Sequence, residues 1–401
     1  YGTFPSVGLG WALSQEQFMK NISWLDFLKL RLSWGQNGNR GISSYESLST
    51  MDLARYVFGD GGNTSVGLYP TSMANPLLGW ETSQSYNLGL DFTLFNNRLS
   101  GNIDLYSTKT TDLLLEVSIP SMTGYDKYLT NIGETQNRGI EVTLNSENIN
   151  TKDFSWSTSL NFSANANKIL HLSGEDLDGD GKEDDDIGKS RFIGYSMGSN
   201  YNYVFDGIWQ EGDDFSIDKS AKPGDIKFKD ISGNGSIGPE DRMVLHNNRP
   251  KFTMSMNNMF RYRDFTLSFL LDLRCGGYAA NNWINPGTEY YNRCNQLDLP
   301  YWTPENPLND RPSVGYSNPR GYGFYEKLTY LRLQDVSLAY SLPKSLIQKL
   351  TLNNVKVYVS GKNLATWTGW HGWDPEHASG GRASQNGPLI KSWVLGLQIS
   401  L

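Results

Sequence analysis

The sequence predicts an all-β protein, a transmembrane antiparallel β-barrel of which this chain supplies about eleven strands. Three observations predict it. Apolar and polar residues alternate with period two through one segment after another. The connections between these segments alternate short and long along the chain. No long segment carries a helical period, and no apolar run approaches the roughly 20 residues that a membrane helix needs.

In chain order the strands are predicted near 4–14, 26–36, 82–95, 98–116, 134–148, 153–169, 250–262, 264–275, 328–342, 354–366 and 391–401. The third of these is the clearest. Tyr86, Leu88, Leu90, Phe92 and Leu94 alternate with Asn87, Gly89, Asp91 and Thr93. In the fourth, Leu99, Ile103 and Leu105 alternate with Ser100, Asn102 and Asp104. In the sixth, Trp156, Leu160 and Phe162 oppose Ser155, Ser157, Ser159 and Asn161. The last puts Trp393, Leu395, Leu397, Ile399 and Leu401 on one face. Each strand thus has one apolar and one polar side. Only 343–350 reads as a short helix.

The short connections fall at 15–25, 96–97, 149–152, residue 263 and 343–353. The long ones fall at 37–81, 117–133, 170–249, 276–327 and 367–390. An outer-membrane barrel has short periplasmic turns and long outer loops, whereas a soluble sandwich has no reason to sort its loops by parity. The phase sends the last strand inward, ending in the periplasm. An open half-barrel leaves two edges of unpaired N–H and C=O groups in hydrocarbon, at several kcal/mol each. The remaining strands are therefore expected from a longer product or a partner chain. The first residue, Tyr1 rather than Met, and the lack of a leading signal peptide give the same expectation.

A hydrophobic content of 38% and a mean hydropathy of −0.49 look soluble, but only every second residue of a barrel strand meets lipid, so neither value excludes the membrane. The net charge of −7 argues against a nucleic-acid partner. Cys275 and Cys294, both in one predicted loop region, form a candidate disulfide for an oxidising compartment.

Several stretches resemble one family from end to end. They are FPSVGLGWALSQEQFMKNISWLDFLKLRLSWGQNGN at 4–39, NPLLGWETSQSYNLGLDFTLFNNRLSGNIDLYSTKTTDLLL at 75–115, NIGETQNRGIEVTLN at 131–145, KPGDIKFKDISGNGSIGPEDRMVL at 222–245, YEKLTYLRLQDVSLAYSLP at 325–343 and VKVYVSGKNLATWTGWHGWDPE at 355–376. In this order and spacing the chain resembles the SusC/RagA-like TonB-dependent transporters of Bacteroidetes outer membranes. The resemblance implies a plugged barrel of about twenty-two strands. Residues 1–401 are then the C-terminal half of that barrel, with the plug and the N-terminal extension lying outside it. It further implies multi-pass outer-membrane localisation, with membrane lipid and lipopolysaccharide around the barrel. The implied activity is active import of oligosaccharides or oligopeptides. The implied partners are the N-terminal barrel half with its plug, the TonB complex reached through that half, and a SusD-like surface lipoprotein that closes as a lid. The rival readings are a passive porin without a gating partner and a soluble or surface carbohydrate-binding β-protein.

Two loops have calcium-ligand spacing. In DISGNGSIGPED, Asp230, Ser232 and Asn234 take the first, third and fifth positions of an EF-hand-like loop. Gly235 makes the turn at the sixth, Ser236 offers a carbonyl at the seventh and Asp241 stands at the twelfth. In DLDGDGKEDDD, Asp176, Asp178 and Asp180 begin the same pattern, but its twelfth position is Ile187. The plainer reading of each is a solvated turn, and in either case the metal would order a loop. Trp367, Trp370 and Trp373, with Trp283, Tyr290 and Tyr291, are candidate contacts for substrate or lid, since aromatic rings offer large apolar area with few rotors. Their alternative is packing against the barrel. Lys29 and Arg31 alternate with Leu28, Leu30 and Leu32 and read as charges lining a polar interior. No triad, phosphate loop or paired zinc motif appears, so an enzyme is not expected.

Overall fold

The computed structural model describes residues 2–42, 45–59, 61, 63–119, 121–125, 127–281, 284, 298–347, 352–376 and 389–400. Eleven strands form one sheet. They are β1 (Ser6–Trp11), β2 (Leu25–Asn39), β5 (Glu81–Leu94), β6 (Leu99–Ser118), β7 (Lys127–Asn150), β8 (Phe154–His171), β13 (Phe252–Tyr262), β14 (Phe265–Cys275), β17 (Tyr330–Ser341), β18 (Asn354–Thr368) and β19 (Ser392–Ser400). Each pairs antiparallel with the next in that order. All eleven expected strands are present. A single helical turn, Lys344–Ile347, falls within the expected helix.

The remaining strands lie in the long connections. β3 (Thr50–Phe58) and β4 (Asn63–Ser72) make one hairpin. β9 (Ser199–Tyr203) pairs with β12 (Arg242–Asn247), and β10 (Phe205–Ile208) pairs with β11 (Ile226–Phe228). β15 (Tyr278–Ala280) pairs with β16 (Tyr325–Lys327).

One expected long loop is largely strand. The connection placed at 117–133 shrinks because β6 and β7 go on pairing beyond a bulge between Thr110 and Leu113. Asp112 takes a positive φ of 57° there. Beyond it Leu115 faces Thr130 and Val117 faces Tyr128, residue types that favour a pleated surface. The expected strand at 98–116 already runs past this bulge, so most of the extension lies in β7, which starts at Lys127 rather than 134.

Register explains the two faces. One row of directly paired residues crosses ten strands as Trp11, Leu30, Leu90, Ile103, Val142, Phe162, Met254, Leu273, Leu331 and Trp367. Every member is apolar. A neighbouring row on the opposite face runs Lys29, Asp91, Asn102, Thr143, Asn161, Ser255, Asp272, Arg332 and Thr366. Every member is polar. The first row begins near the short-turn end of β2 and finishes near the long-loop end of β18, the stagger of tilted barrel strands. The apolar face stays uncovered, with Leu9 69% and Leu395 79% exposed. That is the expected finish of a surface that meets hydrocarbon.

The buried hydrophobic core sits in the loops instead. Tyr203, Ile208, Ile226, Phe228, Trp302, Tyr316 and Phe324 form one cluster shared by the β8–β13 and β14–β17 connections. Ala279, Leu328 and Trp370 form a second, where the β14–β17 connection meets the segment after β18. Hydrophobic burial therefore fixes the outer loops against one another, while hydrogen-bonded pairing holds the sheet.

Candidate ligand-facing loops and acidic loops

The polar face carries bound charge. The Arg31 guanidinium donates from Nε and Nη2 to the two oxygens of Asp91, each at 2.9 Å, and from Nη2 to Asp104 Oδ2 at 3.0 Å. It lies over Gly89, where a side chain would collide with it. Lys29 stands in the polar row and Arg31 two residues on, so both belong to this face. Lys109, which follows the phase of Ile103 and Leu105 on the other face, pairs with Glu134 at 2.8 Å near the long-loop end.

At the long-loop end the same face anchors the segment after β18. Arg332 is 3% exposed on its side chain. It donates to both Asp374 carboxylate oxygens at 2.8 and 2.7 Å, to Glu376 Oε2 at 2.6 Å and to Thr366 Oγ1 at 3.1 Å. Its cation lies 4.5 Å from the Tyr330 ring centre. Five donors in a planar fork suit such bidentate work. Because Arg332 stands in the polar row, it draws Asp374 and Glu376 to the interior side of β17. A second knot lies beside it. The buried Asn281 amide donates to Glu326 Oε2 at 2.7 Å and to the His371 carbonyl at 2.6 Å. Glu326 also accepts the His371 backbone N–H at 3.1 Å, and its Oε1 is 2.6 Å from His371 Nδ1.

The three tryptophans of this segment separate. Trp367 belongs to the apolar outward row opposite Leu331 and is 56% exposed, the position of an aromatic girdle. Trp370 is buried against Ala279 and Leu328. Trp373 is 50% exposed and lies next to the Arg332-bound Asp374. Trp283, Tyr290, Tyr291 and Cys294 lie outside the described residues, so the disulfide with Cys275 does too.

The acidic loops also differ. In the first, Asp176 accepts the backbone N–H groups of Gly179, Asp180 and Gly181 at 2.8, 3.1 and 3.0 Å. Gly181 takes φ 82°, which a side chain resists. Asp176, Asp178 and Asp184 each present an oxygen, all within 4.8 Å of one another. Asp180 turns away, accepting the Lys182 backbone N–H at 2.8 Å. Asp184 joins the group from the ninth position of the pattern, which the reading of the sequence omitted.

The second loop closes on its own backbone. Asp241 is fully buried. It accepts Ile231 and Ser232 N–H at 2.9 Å each on Oδ1 and Gly238 N–H at 2.7 Å on Oδ2. Burial alone pushes this carboxyl up, but the Gly238, Ser232 and Ile231 donors outweigh it and hold it below the usual range. Asp230 accepts Gly233 and Gly235 N–H, and the Asn234 carbonyl accepts from Ser236. Asp230 and Asn234 thus spend oxygens on the turn, while the Ser232 hydroxyl donates to Asp230 Oδ1 at 3.1 Å.

The Arg332 and Asn281 knots are the main features that sequence reading missed. The available signal was Arg332 falling in the polar phase of a strand; its partners lie 42 and 44 residues away and could not be inferred.

A family model described as TonB dependent receptor-like, beta-barrel matches residues 1–364. TonB-dependent receptor P3 of Formosa agariphila is 36% identical over 94% of this chain and 38% of its own length. TonB-dependent receptor SusC of Bacteroides thetaiotaomicron is 31% identical over 100% of this chain and 40% of its own. Among solved structures, the RagAB peptide importer in its open-open state matches with a TM-score of 0.80 at 25% identity, over 99% of this chain and 42% of that one. The chain thus spans about two fifths of the length of these relatives.

Proposed function

The chain belongs to the family of TonB-dependent receptor β-barrels, and from that premise we propose that it forms eleven strands of a larger barrel that actively imports oligosaccharides or oligopeptides across the outer membrane. The family is one of receptors rather than enzymes. The observation that carries the proposal is the pair of rows that cross the sheet, one wholly apolar and one wholly polar. A soluble sheet covers its apolar face with a core; here that face is left uncovered, Leu9 at 69% and Leu395 at 79% exposed, which suits lipid on one side and water on the other. The exposed Trp373 and the partly exposed Glu376 supply the chemistry to meet a polar cargo at the mouth. A relative is named as a peptide importer, which supports peptides; aromatic loops suit sugars equally. A SusD-like surface lipoprotein acts as lid, and energy reaches the barrel through TonB at the portion beyond this chain.

Depletion of a maltooligosaccharide ladder and of a tryptic casein digest from the medium, with and without the gene, tests the reading. TonB-dependent disappearance of members of one mixture is expected. Equal depletion by the deletion strain would overturn it.

We also propose that Asp176, Asp178 and Asp184 hold a calcium ion that orders the β8–β13 connection. Converging carboxylates repel one another unless a cation sits among them. Calcium titration of the complete receptor by calorimetry is expected to show a site that weakens at least tenfold in a D178N/D184N variant and survives in D230N. Unchanged calcium binding in D178N/D184N would remove this site.

A further inference from the structure

Residues 369–376 are fastened by buried polar groups, at one end to the β14–β17 connection and at the other to Arg332 of β17. The segment leaves β18 at Thr368, whose hydroxyl accepts the Trp370 N–H at 3.1 Å. Trp370 then inserts between Ala279 and Leu328, and His371 is clasped by Glu326. Pro375 is fully buried. Arg332 grips Asp374 and Glu376 from the interior side of β17. Between these fastenings Trp373 stays half exposed. A segment fastened in this way cannot swing outward unless the Arg332 charge or the Asp374 charge is stranded in a buried place.

We propose that 369–376 is a fixed strap on the inner side of the barrel mouth, and that Arg332 is the positioning residue that sets which cargo enters by holding Trp373 and the partly exposed Glu376 in place. This rests on the import reading. Arg332 does not itself touch cargo; it acts through the strap. Removing its charge therefore loosens recognition while the rest of the transport cycle stays intact.

The experiment uses the complete receptor in its own outer membrane and the two probe mixtures named above. Arg332→Met, Arg332→Lys, the pair D374N/E376Q and Trp373→Ala are compared at matched surface abundance. Hydrogen exchange of 369–376 is measured alongside. The expected result is at least tenfold faster exchange of the strap in Arg332→Met and in D374N/E376Q. The half-saturating concentration should rise at least tenfold, with maximal uptake within about twofold of the parent. Trp373→Ala should reproduce the uptake defect with the strap still protected, and Arg332→Lys should restore part of both. If Arg332→Met does not reach the membrane, D374N/E376Q carries the test, since it leaves β17 untouched. Unchanged strap exchange overturns the fastening. Released strap with unchanged half-saturation overturns the role in selection. Failure of the parent strain to deplete either mixture instead brings down the import reading, and this inference with it.

Discussion

An arginine at Val142 destabilises the complete barrel by about 2–4 kcal/mol, whereas one at Thr143 changes its stability by less than about 1 kcal/mol. The two positions are neighbours on β7, yet they belong to opposite rows. Val142 lies between Ile103 and Phe162 in the outward row. Thr143 lies between Asn102 and Asn161 on the polar side. A guanidinium at 142 must either leave water or drag it into the hydrocarbon, while one at 143 stays hydrated. Urea unfolding in phospholipid vesicles, read by heat-modifiable electrophoretic mobility, measures both. Equal costs at the two positions contradict the assignment of faces.

Replacement of Asp241 by alanine strands the N–H groups of Ile231, Ser232 and Gly238 inside the loop. Each buried donor left without a partner costs on the order of 1–3 kcal/mol. The β11–β12 connection is therefore expected to lose about 3 kcal/mol of local stability, read as faster hydrogen exchange across 230–241. The charge also carries a pH dependence with a definite sign. The carboxyl is held below its ordinary value of 3.8 in the folded loop, so the stabilisation is complete above that value. It is lost as pH falls from there through the lower folded value. Loop protection should consequently decline only in strong acid, and the alanine variant should show no such decline. Protection that is flat with pH in the parent would remove the role given to this carboxylate.

The strands were legible because alternation is a local pattern, visible without knowing any neighbour. Loop parity was legible for the same reason and agrees with the antiparallel order of the eleven strands. The start of β7 at Lys127 rather than 134 was not, because its pairing with β6 shifts register opposite Leu113 and Leu114. The small sheets in the outer connections were also hidden. β10 and β11 span only four and three residues, and their stability comes from a core assembled with Trp302, Tyr316 and Phe324 of a distant loop. In the candidate site, spacing found Asp176 and Asp178 but chose Asp180 over Asp184, since only the fold shows which carboxylate turns toward Lys182. Spacing equally could not separate the tryptophans. Trp367 and Trp373 are six residues apart, yet one faces outward from a strand and the other sits beside a buried ion pair. Arg332 illustrates the limit most plainly, since its partners Asp374 and Glu376 are supplied by another connection.

The central claim is that the apolar face of this sheet meets lipid and that β1 and β19 are joined by further strands. The most direct measurement is the cryo-electron-microscopy structure of the intact receptor purified in detergent from its own outer membrane. The account predicts a closed barrel in which Ser6–Trp11 and Ser392–Ser400 each pair with a strand from outside this chain, with detergent around Leu30, Val142 and Leu273. An open sheet whose apolar face packs against protein rather than detergent would contradict it.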